Sequence, residues 1–248
     1  NGAKVVFKQT DFKNDQVLMR AISPGGTSLA TNKEYWSANM SDGIVSDAGL
    51  ADFDQATMSK MTAGKVASVS PFVGSLEEGL RGSASPDDLE LMMQMTHLYF
   101  TAPRKDEKAF MAFKGQMETF VKNRDLNPQS VFFDELSAFR DNNHPRSKPL
   151  TPEILDSLDL DQAFSFYQDR FADAGDFTFA FVGNADVDAM KSLSQTYLAS
   201  LPTTGRKEKW KDVGVTHPKG TKKLQVEKGQ DPKSFVMITF HGKAKWSP

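Results

Sequence analysis

The chain has 248 residues, of which 39% are hydrophobic, 10% aromatic and 25% charged, and its 19 Phe and 11 Met supply a core that excludes disorder over most of its length. Lys and Arg number 30 against 32 Asp and Glu, and a net charge of −2 excludes a general nucleic-acid binder, whose phosphate contacts need a clustered positive surplus. Cys is absent, which excludes disulfides, thiolate metal sites and cysteine nucleophiles, and no apolar run approaches the roughly 18 residues of a membrane span.

The chain opens at Asn1 with no initiator Met and closes at Pro248 directly after a strand-like run, so it reads as a piece of a longer protein. Residues 3–9 and 16–23 read as two strands around a polar turn at Asp11–Asp15. In the second, Val17, Met19 and Ala21 fall on one face and Leu18 and Ile22 on the other, so burial on both sides is expected. Pro24-Gly25-Gly26 ends it. Two short helices follow, each with the spacing of a capping box, Thr31 with Glu34 and Asp52 with Gln55, and Gly64 suits the left-handed position after the second.

Residues 65–72 and 77–84 read as a second strand pair. Ser85 then caps a helix, with Pro86 in its first turn and Asp87 and Asp88 where the helix dipole favours negative charge. Leu89, Met92, Met93, Thr96 and Phe100 form its apolar stripe. Ala102-Pro103 breaks it. A helix to about Val121, another from Asn127-Pro128, a loop over 141–149, a short helix after Thr151-Pro152 and one over 161–173 come next. Residues 177–182 are a strand with Phe177, Phe179 and Phe181 on one face, followed by a helix that ends near Leu201-Pro202. Residues 203–222 have the composition of a basic linker. Residues 223–227 and 235–241 read as two more strands, patterned like residues 1–23, as though a second related unit begins at 223 and is cut off at 248. Strands and helices come in runs, not in strict βα alternation. The expected fold class is α+β, a mixed and mostly antiparallel sheet with helices packed on it.

The residues hold no complete active site. His97, His144, His217 and His241 form no zincin pair or inverted zinc motif, which would need two imidazoles one turn apart on one helix face. A packing or surface role is the better reading of His97, a loop contact the better reading of Asp141 with His144, and His217 and His241 have no partner evident in sequence. Gly-x-Ser-x-Gly, Gly-x-Gly-x-x-Gly and the P-loop pattern are absent. Adjacent strand residues point to opposite faces, so Glu77-Glu78 reads as part of a solvated hairpin, not an acid–base pair. Capping accounts for Asp87 and Asp88. The Met92, Met93, Met95 cluster reads as core in preference to an adaptable peptide-binding surface. The basic stretch 206–211 around Trp210 is diluted by Glu208 and Asp212 and reads as solvated.

Several segments, in order, resemble the pitrilysin/insulinase family of zinc peptidases (M16). They are the opening strand Asn1-Gly2-Ala3-Lys4-Val5-Val6, the helix-end step Met61-Thr62-Ala63-Gly64-Lys65-Val66, the hairpin-to-helix segment from Glu77 to Glu90, then Thr101-Ala102-Pro103-Arg104-Lys105-Asp106, Phe166-Tyr167 and Phe171, and the strand from Phe177 to Asp186. The resemblance covers most of residues 1–200 and implies a two-layer fold of the M16 (LuxS/MPP-like) kind. Catalytic halves of that family carry His-x-x-Glu-His on the first helix after the second strand. Here that helix reads Asn32 to Asp42, with Trp36, Asn39 and Met40 in the general region, so no zinc ligand or general base carries over.

What the resemblance implies is the start of a non-catalytic, C-terminal half. The expected domains are an M16-like domain over 1–202, a linker over 203–222, and the beginning of a second related domain over 223–248. The fragment is expected to have no catalytic or metal residues, to bind no zinc and to cleave no peptide alone. Zinc would lie in the catalytic half of a metalloendopeptidase parent. Partners would be that half, or a homologous subunit, and unfolded peptides, and substrate-anchoring residues would fall beyond Pro248. Family habit and the lack of Cys imply a periplasmic or otherwise extracytoplasmic location. The alternatives are a non-proteolytic scaffold or assembly subunit that kept the fold, and a stand-alone peptide-binding module.

Overall fold

The computed structural model describes residues 1–230 and 233–242. Five strands form one mixed sheet: β1 (Lys4–Gln9), β2 (Val17–Pro24), β3 (Ala67–Val73), β4 (Glu77–Ala84) and β5 (Thr178–Gly183). Their order is β1-β5-β2-β4-β3, so the last strand in sequence enters between the first two. β1 and β5 run parallel, with Lys4 opposite Thr178 and Gln9 opposite Gly183, and the other pairs are antiparallel.

The helices are α1 (Tyr35–Asn39), α2 (Ser41–Ala48), α3 (Gln55–Met61), α4 (Leu89–Thr101), α5 (Glu107–Asp125), α6 (Pro128–Arg140), α7 (Pro152–Asp156), α8 (Leu160–Arg170) and α9 (Val187–Leu193), the last continuing as a π-turn over Ser194–Leu198. Local chemistry sets their starts. Ser85 accepts the Asp88 N–H, and the Asp88 carboxylate accepts the Val66 N–H at 2.7 Å, tying the start of α4 to the approach of β3. Asn127 caps α6 and Asp159 caps α8. Thr31 and Glu34 form the expected box, but α3 is capped two residues later than its spacing suggests, by Asp54 accepting the Thr57 N–H at 2.7 Å. Asp186 caps α9 through the Ala189 N–H at 2.8 Å. Asp186→Ala is expected to cost about 1 kcal/mol in urea unfolding with an unchanged m-value.

The chain divides into two compact units, residues 1–116 with 156–212, and residues 117–155 with those from 213 on. In the first unit one face of the sheet carries the core. Val17, Met19, Ala21, Leu80, Ala84, Phe179 and Phe181 pack against Met92, Met93 and Phe100 of α4, against Tyr167 of α8 and against Phe171 just after it. Phe100 meets Phe177 at 4.9 Å and Phe171 at 5.3 Å, edge to face, and Tyr167 stacks on Phe171 at 4.4 Å. In the second unit Phe132, Phe133 and Phe235 form an aromatic triangle with sides of 5.3 to 5.6 Å, and Arg124 joins Asp134 to the Leu150 carbonyl.

Three sequence expectations are corrected. β2 is buried on one side only: Val17 and Ala21 are inaccessible, whereas Leu18 is 48% exposed. Residues 223–227 and 235–241 form no strand, because each reads as an edge with no partner among the described residues; 231, 232 and 243–248 of the expected second domain lie outside them. Residues 203–212, expected to begin a solvated linker, are fastened to the first unit. Asp173 accepts from the hydroxyls of Thr203 and Thr204 and from the Arg206 N–H, Glu208 pairs with Arg170 at 2.8 Å, and the Lys211 N–H donates to Ser28 Oγ at 2.9 Å. Burial pushes the Asp173 carboxyl up, but those donors and the Gly175 N–H outweigh it and hold it far below the usual carboxylate range.

Candidate functional site: the uncovered face of the sheet

Strand side chains alternate between faces, so the register fixes what lies opposite the core. One row across the sheet is Lys8, Val182, Leu18, Ser83 and Ser68. The next is Val6, Ala180, Arg20, Arg81 and Ser70. The third is Lys4, Thr178, Ile22, Gly79 and Phe72. Val6, Leu18 and Val182 are 45%, 48% and 43% exposed, and all four cations are exposed. The face therefore combines an apolar lane with hydroxyls and positive charge.

Its densest feature lies on β2–β4–β3. Arg20 and Arg81 are directly opposite each other, a like-charge pairing that destabilises a sheet. The Phe72 ring lies beneath both, with the guanidinium carbons 5.1 Å and 4.6 Å from its centroid. Phe72 can lie flat because its cross-strand neighbour is Gly79: a Cβ there would sit 2.8 Å from the ring. Glu77 offsets part of the charge by pairing with Arg20 at 2.8 Å.

A second polar feature is buried at the end of the core face. Alternation sends Glu78 to the side opposite Glu77, where it is fully inaccessible. The solvated-hairpin reading therefore holds for Glu77 and fails for Glu78, whose placement beside Leu80 and Ala84 on the core face was the available signal. The Gly26 N–H donates to Glu78 Oε2. Gly26 has φ +59°, and a Cβ there would lie 2.3 Å from the Gly74 carbonyl oxygen, so this anchoring turn admits glycine alone. Arg170, 4% exposed, lies nearby and bonds Asp169 and Glu208. Burial pushes the Glu78 carboxyl up to about 7, against the Gly26 N–H and the Arg170 charge. The cluster fixes the turn after β2, and the burial of both Glu78 and Arg170 makes it structural.

The histidines do not converge on a reaction centre. His97 Nδ1 meets the Tyr197 carbonyl at 2.9 Å and its ring packs edge-on against Tyr197. His144 binds the Val213 carbonyl and the Arg146 N–H, so its side chain is occupied elsewhere than on Asp141. Asp141 instead lies 3.5 Å from His217, which stacks on His241 at 4.2 Å, a pairing of distant residues that sequence reasoning missed. Met92 and Met93 are inaccessible core. Trp36 and Asn39 of α1, and Met40 after it, offer no zinc ligand set, and no group of three or more His, Asp or Glu that could hold a metal occurs among the described residues.

In the first unit the helices lie on one face of the sheet and the side chains of the other face are exposed, and the described residues hold no metal-binding constellation. Residues 157–248 match the family model "Peptidase M16 inactive domain". The chain is 23% identical over 201 residues to "Probable zinc protease PqqL" of Haemophilus influenzae, covering 81% of this chain and 22% of that one. It is 26% identical over 203 residues to "Zinc protease PQQL-like" of Arabidopsis thaliana, covering 82% and 19%. It thus spans about a fifth of these relatives. Its fold matches the crystal structure of the periplasmic protease PqqL from Escherichia coli with a TM-score of 0.73 at 18% identity, covering 88% of this chain and 24% of that one. These findings agree with the sequence resemblance: residues 157–248 are similar to the M16 inactive domain, and the fold is like that of a solved M16-type protease.

Proposed function

We propose that this chain is part of the non-catalytic half of a zinc-dependent endopeptidase. In this reading it walls a chamber closed against the catalytic half, or against a homologous subunit, and helps hold an unfolded peptide substrate. Zinc and the reacting groups belong to the catalytic half. The contribution of this half is positional, limiting the freedom of the bound peptide and excluding water. The observation that carries the reading is the bare sheet face. An exposed surface on which Leu18 lies opposite Val182, with Val6 in the next row, supports an interaction site, and an extended peptide would fit its corrugation. The named relatives, both called zinc proteases, support a proteolytic parent, and the periplasmic neighbour together with the absence of Cys supports an extracytoplasmic location.

The test is a photo-reactive residue placed at Leu18 in the full-length protein. It is expected to cross-link a bound unfolded peptide, whereas the same residue at Met111, exposed on α5, is not. Equal labelling from both positions, or none from Leu18, would remove the support. Cross-linking from Leu18 to a partner protein and never to peptide would favour the non-proteolytic scaffold.

A further inference from the structure

We propose that the bare face selects acidic stretches of an extended polypeptide, with Arg81 and Arg20 on Phe72 as the carboxylate anchor and Lys4 and Lys8 as flanking charges. The proposal rests on the chamber reading and adds a substrate class to it. The face holds four cations, and the ion pair Arg20 makes with Glu77 is its sole one among the described residues; Lys4, Lys8 and Arg81 make none. Asp42, whose carboxyl feels the Arg81 charge, is directed to the backbone, accepting the Gly43 N–H at 2.9 Å and the Val73 N–H at 3.1 Å. The surplus is local: the whole chain carries −2.

Two arginines directly opposite one another weaken a sheet, and here a phenylalanine and a facing glycine are arranged to carry them. A guanidinium lying over a ring keeps its N–H edge free for a carboxylate and loses little freedom on binding. Ser70, opposite Arg81, adds an exposed hydroxyl. Lys4 and Lys8 share the face four residues apart, about 13 Å, a span that several residues of extended peptide bridge. Val6, Ala180, Val182, Leu18 and Ile22 between these charges suit side-chain and backbone contact with a polypeptide better than a uniformly charged phosphate backbone.

The experiment uses the full-length protein and two labelled peptides of equal length, one rich in Asp and Glu, the other with Asn and Gln in their places. Binding is read by fluorescence anisotropy after zinc chelation, and cleavage is read separately with zinc present. At low salt the acidic peptide is expected to bind about tenfold more tightly, a preference that falls as salt rises. Arg81→Gln is expected to remove most of the preference by lowering the affinity for the acidic peptide, and Arg81→Lys to restore part of it. Lys4→Gln combined with Lys8→Gln, on a different strand, gives an independent reading should Arg81→Gln fold poorly. Equal affinity for the two peptides, equal losses on both in the variants, or tighter binding of a single-stranded oligonucleotide of matched charge would overturn the proposal. Failure to bind or cleave either peptide would instead overturn the chamber reading on which it rests.

Discussion

Arg170→Ala is expected to destabilise the protein by about 3–5 kcal/mol, the range for removing one partner from a buried ion pair. Arg170 is 4% exposed, and its charge serves Glu208, Asp169 and the fully buried Glu78. Without it Glu78 loses its countercharge, and residues 203–212 lose the Glu208 fastening. Urea or thermal unfolding of the variant reads the loss. Combining it with Glu78→Gln is expected to recover part of it, since the stranded carboxylate is then gone. An additive double mutant would show that the two side chains do not act together.

The same carboxyl predicts a pH dependence. The ordinary value for a glutamate is 4.5, and in the fold Glu78 is raised to about 7. The folded state therefore binds more protons than the unfolded state between those values, and stability falls as pH rises through that window. The contribution is full below about 4.5 and lost as pH passes 7. Asp173 and Asp169, held below the usual range, act with the opposite sign, and their contribution is lost only at more acid pH. Glu78→Gln is expected to flatten the stability profile between pH 4.5 and 7 relative to the parent, measured as urea midpoints at several pH values. Parallel profiles for the two proteins would exclude Glu78 as the titrating group.

The second large effect separates the two faces of the sheet. Phe100→Ala is expected to cost about 3–5 kcal/mol, because it leaves a cavity among Phe171, Phe177 and Phe179, whose rings lie 4.9 to 5.9 Å away. Leu18→Ala, on the bare face, is expected to stay within about 0.5 kcal/mol. If Leu18→Ala also cost several kcal/mol in the isolated chain, the face would be covered and the candidate site withdrawn. If it is neutral for stability yet weakens peptide binding by the full-length protein, the apolar lane is there for a ligand.

The strands were legible because their alternation is strong. Phe177, Phe179 and Phe181 mark a core face wherever β5 lies, and Ser85-Pro86 marks the start of α4 because the capping groups are local in sequence. Glu78 was readable in part. Its parity with Leu80 placed it inside, but its countercharge, Arg170, is 92 residues away in the chain. The strand reading of 235–241 failed for the converse reason. A strand needs a partner edge, and apolar alternation by itself cannot supply one.

The bare face shows the limit most clearly. Apolar residues on both sides of β2 look the same in sequence whether the second side meets helices or a substrate. The sequence by itself determined the α+β class, the starts of α4 and α6 and the core face of β5, because each is written in local spacing and residue chemistry. Only the tertiary structure decided that β5 enters between β1 and β2, that the helices cover one side alone, and that Lys4, Lys8, Arg20 and Arg81 share the other. Those outcomes depend on register between strands far apart in the chain, and hydrogen-bonded pairing in space, not neighbourhood in sequence, brings their side chains onto one surface.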